Sequence, residues 1–382
     1  MAEVVLVASS FLPRVGGVEE HVLHVARELR RQGIDVAIWT VDQRDDVPAD
    51  VDGIPIRVLP CPLPARSLRV LASFAWRAPR ALGRWFAAVR HDRPAVLHVH
   101  CFGPNGVWAS AIARMTRRRL VVTSHGETLG DADDVFGGSA LLRRALREAL
   151  SRAAVVTAPS RSTLTDLESR FGLRAGGGVI VANGVNLDEP AADPPAGLPE
   201  RYVLAYGRLV RTKGFDLLLD AFAAAELPPD VHLVIGGDGP ARTELESLAE
   251  RLGVRERTHF CGRLSRGQVV TVTRGALALG VPSRAESFGI VVLEGWRAGI
   301  PVIATSHGGP PEFVRDGRDG WIVDPFDTPA LAAALRRIVD DPENAATVAS
   351  AGRARAKEYS WRRIALQYAQ LYAHVGGVRA RR

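Results

Sequence analysis

Two glutamates, Glu286 and Glu294, stand seven residues apart in the stretch Pro282-Ser283-Arg284-Ala285-Glu286-Ser287-Phe288-Gly289-Ile290-Val291-Val292-Leu293-Glu294. The apolar run 277–281 reads as a buried strand, 282–287 as a loop and 288–298 as a helix, with Glu294 about two turns inside. Between the two carboxylates, the backbone N–H groups of Ser287, Phe288, Gly289, Ile290 and Val291 open that helix. A helix start draws phosphate. Carboxylates on either side of a phosphate site accept hydrogen bonds from hydroxyl-rich groups: a sugar beyond the phosphates, a ribose behind them. That is the outline of a nucleotide sugar.

Other segments offer complementary chemistry, each after a predicted strand. Gly207, Arg208 and Lys213 follow 202–206, and fixed cations there would stabilise a departing diphosphate without a metal. Lysine is rare in this chain: of 49 basic residues only Lys213 and Lys357 are lysine, so 49 − 2 leaves 47 arginines. A compact ammonium at 213 therefore reads as a requirement, with chance placement and a plain solvated loop as the rivals. Gly236-Gly237-Asp238-Gly239-Pro240 follows 232–235, where glycine permits close backbone approach to a ligand; the plain alternative is a turn. His307-Gly308-Gly309-Pro310-Pro311-Glu312 is another turn after a strand. In the first half, Gly16-Gly17 opens a helix over 18–31, suited to an acceptor phosphate or to donor phosphates. It lacks the G-x-G-x-x-G spacing of dinucleotide sites. His125-Gly126-Glu127 follows strand 120–124; His125 is read as catalytic against the bland alternative of a structural histidine.

These segments need a frame that lines up strand ends. Strands are expected over 4–8, 36–41, 56–59, 96–99, 120–124, 155–158 and 179–181, then over 202–206, 232–235, 258–261, 277–281, 302–304 and 320–323. Helices fit between many of them, for example 18–31, 214–225 and 242–252. Such alternation makes an α/β protein of parallel sheets with helices on both faces and loops after strands on one ligand-binding edge. With 382 residues, two domains are expected. We expect a first domain over 1–188, a proline-rich linker over 189–200, a second domain over 201–360, and an amphipathic helix from Trp361 followed by a basic tail to residue 382.

Composition narrows the class further. No run of 18 apolar residues spans a membrane. The start, Met1-Ala2-Glu3-Val4, reads as a first strand and not as a signal peptide. Cys61, Cys101 and Cys261 fit reduced, buried thiols in a cytoplasm, without zinc spacing. The net charge of +7 comes without any nucleic-acid-binding motif, and only 6% of residues are aromatic, so an anionic substrate or a membrane surface accounts for it equally well.

The ordered set Gly16-Gly17, His125-Gly126, Gly207-Arg208, Lys213-Gly214, Gly237-Asp238-Gly239-Pro240 and Glu286 to Glu294, with Gly299-Ile300-Pro301-Val302, resembles the retaining GT-B glycosyltransferases of family 4. The resemblance covers nearly the whole chain and is strongest over 202–323. It implies two Rossmann-like doubly wound domains facing across a cleft, with the C-terminal helix crossing back to the first. It implies an NDP-sugar donor, Glu286 on the donor sugar, Glu294 on the ribose, Arg208 and Lys213 on the diphosphate, and Phe288, Gly289 and Ile290 presenting N–H groups to phosphate and sugar. It puts His125 near the donor sugar and Gly17 near the diphosphate or the acceptor. It implies front-face substitution with retention and no metal cofactor. One departure is Gly295-Trp296-Arg297, where the family has small residues; Trp296 bears on base recognition or on helix packing.

Two further features invite competing readings. Asp131-Ala132-Asp133 matches the metal-binding D-x-D of the other glycosyltransferase architecture, or belongs to an acceptor lid. Arg66, Arg69, Arg77, Arg80 and Arg84 share one face of a helix over 66–89, with Leu71, Phe74, Leu82, Trp85 and Val89 opposite. That is an interfacial membrane segment, or a helix packed on the first domain with a solvated basic face; Pro79 interrupts it. Rival functions are a nucleotide-sugar epimerase or pseudo-glycosyltransferase, which product analysis separates, and a silent nucleotide-binding protein, which turns over no donor. The base, the sugar and the acceptor, whether small molecule, glycan or glycolipid, stay open.

Overall fold

The computed structural model describes residues 2–14, 16–43, 46–65, 67–129 and 135–376. These form two compact units. One holds the described residues up to Asn183 together with those from Trp361 onward; the other spans Gly184–Ser360. The proline-rich segment 189–200, expected as a linker, lies inside the second unit, where the Ala192 N–H donates to the Gly267 carbonyl at 3.1 Å. Proline content marked irregular chain correctly, but irregular chain can pack on a domain as well as join two.

The first unit is built on eight strands: β1 (Val4–Ala8), β2 (Val36–Val41), β3 (Asp50–Val51), β4 (Ile54–Leu59), β5 (Val96–His100), β6 (Arg119–Thr123), β7 (Val155–Ala158) and β8 (Gly178–Ile180). Their order is β3-β4-β2-β1-β5-β6-β7-β8, and every pairing is parallel except the short β3–β4 hairpin. Helices α1 (Gly17–Arg31), α2 (Leu68–Asp92), α3 (Pro104–Thr116), α4 (Val135–Gly138), α5 (Ala140–Arg152) and α6 (Arg161–Phe171) connect them. Strand β1 shows why its sequence is uniformly apolar. Val5 and Val7 enter one core with Trp39, Trp85 and Leu97, while Val4, Leu6 and Ala8 enter the core on the opposite face with Val22 and Leu29 of α1. A strand covered on both faces has no polar side.

The second unit has six strands: β9 (Tyr202–Tyr206), β10 (His232–Gly236), β11 (Thr258–Gly262), β12 (Ala278–Val281), β13 (Val302–Thr305) and β14 (Trp321–Val323), ordered β11-β10-β9-β12-β13-β14 and all parallel. Its helices are α7 (Phe215–Ala224), α8 (Arg242–Arg251), α9 (Arg266–Arg274), α10 (Ile290–Ala298), α11 (Thr328–Asp340) and α12 (Pro342–Ala356). The last helix, α13 (Trp361–Gly376), returns to the first unit and buries Ile364, Tyr368 and Tyr372 in the same core as α1. Both units are thus Rossmann-like and doubly wound. In each, strand order reverses at one point, between β1 and β5 and between β9 and β12, and ligands of such sheets bind outside the carboxyl ends at that point.

One expectation on α2 needs correction. Pro79 does not interrupt the helix, which runs through it from Leu68 to Asp92. Residues around Pro79 are exposed, and the helix is held further on, where Ala81, Trp85, Ala88 and Val89 are buried. The missing N–H faces water there, so no buried carbonyl is left unpaired. Arg66, and Asp131 with Asp133, lie outside the described residues. Cys61, Cys101 and Cys261, expected as buried thiols, are only partly buried. No described helix is long and apolar enough to cross a membrane.

Candidate active site

At the reversal in the second sheet, the loop after β9 carries Gly207, Arg208 and Lys213, and the loop after β12 carries 282–289. Side chains and backbone bind these loops together. Arg284 reaches Asp216 through two bonds of 2.6 Å each and the Arg211 carbonyl at 2.8 Å, while its own N–H donates to the Thr212 carbonyl at 2.8 Å. Gly214 has φ +68°, and a Cβ there would lie 2.0 Å from the Pro282 carbonyl oxygen. Only glycine lets the strands approach so closely.

This arrangement brings Lys213 to Glu286. The Lys213 Nζ donates to Glu286 Oε2 at 2.6 Å, and Ser283 Oγ donates to the same oxygen at 2.9 Å. Glu286 is buried to 9% exposure, so its charge needs these partners. The backbone of Glu286 is pinned by the His307 carbonyl at 3.2 Å and by the Gly309 N–H at 2.8 Å. Gly308, at φ +105°, would put a Cβ 2.0 Å from the Glu286 carbonyl oxygen. The His307 turn is therefore the backbone rest on which the Glu286 loop sits.

Gly289 adopts φ +97° and caps α10, which starts at Ile290. The helix begins two residues later than expected because a left-handed residue cannot belong to it. Glu294 consequently sits about one turn in, not two. The opening N–H groups of α10, at Ile290 and Val291, have no partner within the helix, and Ser287 and Phe288 precede them in the loop. Glu294 is 2% exposed; Tyr206 Oη donates to its Oε2 at 2.5 Å and Arg266 Nη1 to its Oε1 at 2.8 Å. Burial and the adjacent Glu294 charge hold the Tyr206 phenol well above its usual pKa, so it stays a donor. Arg208 is exposed at the end of β9. Gly237 has φ +123°, and a Cβ there would meet the Gly207 carbonyl oxygen at 1.9 Å. That glycine allows two loops to stack backbone on backbone.

Trp296 serves helix packing. It is fully buried, its Nε1–H donates to the Asp319 carbonyl at 2.6 Å, and Gly352 of α12 leaves it room, since a Cβ there would fall 2.5 Å from its ring.

In the first unit, Gly16 and Gly17 open α1 after β1, with Gly16 extended at φ −166°. One turn on, His21 meets His125, their rings 4.7 Å apart and edge to face. His125 follows β6 and is partly exposed; its Nε2 lies 3.1 Å from Nδ1 of His100, the last residue of β5. Glu127 holds this loop by accepting from the N–H groups of Phe102 at 2.9 Å and His125 at 2.7 Å and from Ser124 Oγ at 3.0 Å. Burial, with the neighbouring histidines, pushes His98, His100 and His125 well below the usual imidazole pKa and His21 down to about 4, so all four are neutral at pH 7.

Sequence reasoning missed His21, His100, Tyr206, Arg266, Ser283 and Arg284. The H-x-H of His98 and His100 at a strand end was a usable signal. The others are ordinary polar residues whose partners lie far away in the chain.

Known proteins match this architecture. Residues 15–189 match the family model described as Glycosyltransferase Family 4, and residues 190–355 the model described as Glycosyl transferases group 1. The chain is 30% identical, over 96% of its length and 97% of the relative's, to the GDP-mannose-dependent alpha-(1-6)-phosphatidylinositol monomannoside mannosyltransferase of Mycolicibacterium smegmatis. It is 28% identical to the D-inositol 3-phosphate glycosyltransferase of Xylanimonas cellulosilytica, covering 94% of this chain and 91% of that one. Anabaena HepE, solved in complex with UDP, shares the fold with a TM-score of 0.77 at 22% identity, over 97% of this chain and 100% of that one. The fold is GT-B, and the chain belongs to the family 4, group 1 glycosyltransferases.

Proposed function

We propose that the enzyme transfers a hexose-type sugar from a UDP- or GDP-linked donor to an acceptor hydroxyl, with retention of anomeric configuration and without a metal. The observation that carries this reading is the start of α10, flanked by Glu286 paired to Lys213 on one side and by Glu294 held by Tyr206 and Arg266 on the other. A pyrophosphate at the helix start meets aligned N–H groups, Lys213 and Arg208, which supply the charge stabilisation a metal gives elsewhere. Glu286 then accepts from sugar hydroxyls and Glu294 from the ribose. In front-face substitution the bond from the anomeric carbon to the phosphate oxygen breaks while the acceptor oxygen bonds to the same face, and the acceptor proton passes to that leaving phosphate oxygen. His125 is assigned to the donor sugar, and Gly16-Gly17 to the diphosphate or acceptor, by the family resemblance. The GDP-mannose named for one relative and the UDP held by HepE support both donor classes.

Incubation with GDP-mannose or UDP-glucose and candidate acceptors, followed by mass spectrometry and NMR of the anomeric proton, tests this. The expected result is one retained glycoside and free nucleotide diphosphate, unchanged by EDTA. An inverted product or strict Mg²⁺ dependence sinks it.

The proposal extends to a lipid surface. The first half of α2 exposes Leu68 (83%) and Trp76 (64%), with Arg69, Arg77, Arg80 and Arg84 also exposed. Apolar side chains among arginines suit anionic lipid headgroups, and a glycolipid acceptor is presented there. Co-sedimentation with phosphatidylglycerol vesicles, absent with phosphatidylcholine alone, is the expected outcome.

A further inference from the structure

Five of the ten histidines gather around the carboxyl ends of β5 and β6 and the start of α1: His21, His24, His98, His100 and His125. Two of them are accounted for. His98 is bonded at both ring nitrogens, to Tyr372 Oη and Thr123 Oγ1 at 2.6 Å each, and His24 pairs with Glu20 at 3.2 Å and stacks on Trp361. The other three are not. His21 and His100 are completely buried; His21 Nε2 has no hydrogen-bond partner, while His100 meets His125 through Nδ1 and its own Nε2, the other ring nitrogen, stays unpaired. An unpaired polar atom in the interior costs about 1–3 kcal/mol. Among the described residues, His21, His100 and His125 each bring one ring nitrogen within 4.8 Å of the other two.

We propose that His21, His100 and His125 form a binding site for a divalent transition metal of the zinc type, and that occupying it inhibits sugar transfer. Three imidazoles are a borderline-soft nitrogen set that selects Zn²⁺, Ni²⁺ or Cu²⁺ over Mg²⁺ and Ca²⁺. His21 is already prepared as a ligand. Its Nδ1–H donates to Asn183 Oδ1 at 2.8 Å, which leaves the unpartnered Nε2 with its lone pair. Outer hydrogen bonds of this kind orient imidazoles on metals. Two nitrogens on one tetrahedral zinc stand about 3.3 Å apart, given bonds of ~2.05 Å. His100 Nδ1 and His125 Nε2 are 3.1 Å apart with one shared proton between them, so an ion replacing that proton meets two lone pairs at near the right separation. His21 brings a ring nitrogen within 4.8 Å of both, close enough for an ion to draw the three together. His125 is the partly exposed member and the point of entry, leaving the fourth position to water. The inhibition rests on the reading that assigns His125 to the donor sugar, because an imidazole bound to zinc no longer offers that nitrogen to a hydroxyl.

The test is titration of the full-length, chelator-stripped enzyme with Co²⁺, whose visible ligand-field bands report coordination without any turnover. One equivalent is expected to bind, to be displaced by Zn²⁺, and to raise the melting temperature. His21→Gln, His100→Gln and Asn183→Ala should each weaken Co²⁺ at least about tenfold. Because the first two are buried and can unfold the chain, His125→Ala, at a partly exposed loop, is measured alongside and should show the same loss. Absence of bands in the wild type, or equal affinity in His125→Ala, overturns the site. Zn²⁺ should lower transfer in step with Co²⁺-site occupancy, with a chelator restoring it; bound Zn²⁺ that leaves transfer untouched overturns the inhibitory role. Failure of the metal-free enzyme to transfer any sugar would refute the proposed function instead, since the metal titration is read independently.

Discussion

Glu286 is the residue on which most of the proposed chemistry converges. It is buried, paired with Lys213 and Ser283, and pinned by backbone on both sides. On the proposed reading Glu286→Ala removes the hydrogen bonds to the donor sugar, and it strands Lys213, so kcat/KM should fall at least ~10²-fold in a donor-saturation assay. Full turnover from that variant would remove Glu286 from the mechanism. Tyr206→Phe tests the other carboxylate. It deletes one donor to a buried charge, and such bonds are worth about 1.5–3 kcal/mol. The expected readout is nucleotide diphosphate binding roughly tenfold or more weaker by calorimetry, with kcat at saturating donor less affected.

Loops and helices set how rigidly these residues are held. Gly237, Gly214 and Gly308 each let one loop lie against the backbone of another, at contacts a Cβ would close to 1.9–2.0 Å. Gly308→Ala should therefore displace the Glu286 loop and impair transfer strongly. A crystal structure of the variant with an unmoved loop would contradict this account. Gly352 gives a separate check away from the chemistry. Gly352→Ala puts a methyl 2.5 Å from Trp296, and overpacking of this sort costs about 1–3 kcal/mol, read as a lower melting temperature with nucleotide binding retained. On α2, the exposed first half and buried second half make different predictions. Trp76→Ala with Arg77→Glu and Arg80→Glu should reduce vesicle binding without altering stability by more than ~0.5 kcal/mol, whereas Trp85→Ala should cost about 3–5 kcal/mol.

Acid sensitivity belongs to the first unit as a whole. His21, His98, His100 and His125 are neutral in the folded chain, with His21 lowered to about 4 chiefly by burial. Unfolded histidine titrates near ~6.5. Between these values the unfolded chain binds more protons than the folded one, so stability is full above ~6.5 and is lost as pH falls toward 4. His21 alone accounts for about 3 kcal/mol over that window, at ~1.4 kcal/mol per pH unit. Urea melts of chelator-treated protein should show the midpoint dropping steeply between pH 6.5 and 4, and His98→Asn, if it folds, should flatten the slope. A pH-independent midpoint across that range would contradict the burial of neutral imidazoles.

Local chemistry made the main strands and several helices readable from residue order, α10 to within two residues of its start. Apolar runs buried on two faces, as in Val4–Ala8, have one sensible structure, and free N–H groups at a helix start follow from the backbone alone. The pairing of functional groups was not readable, because it joins residues far apart in the chain: Lys213 to Glu286 across 73 positions, Tyr206 to Glu294 across 88 and His98 to Tyr372 across 274. Parallel sheets bring distant strand ends side by side, and no periodicity records which polar residue will stand opposite which. Pro79 shows the reverse failure, where a sound local rule yielded because the exposed helix face left nothing buried to satisfy. The glycines combine both cases. Their special backbone angles were foreseeable, but the carbonyls crowding them came from neighbouring loops that meet only in the folded chain.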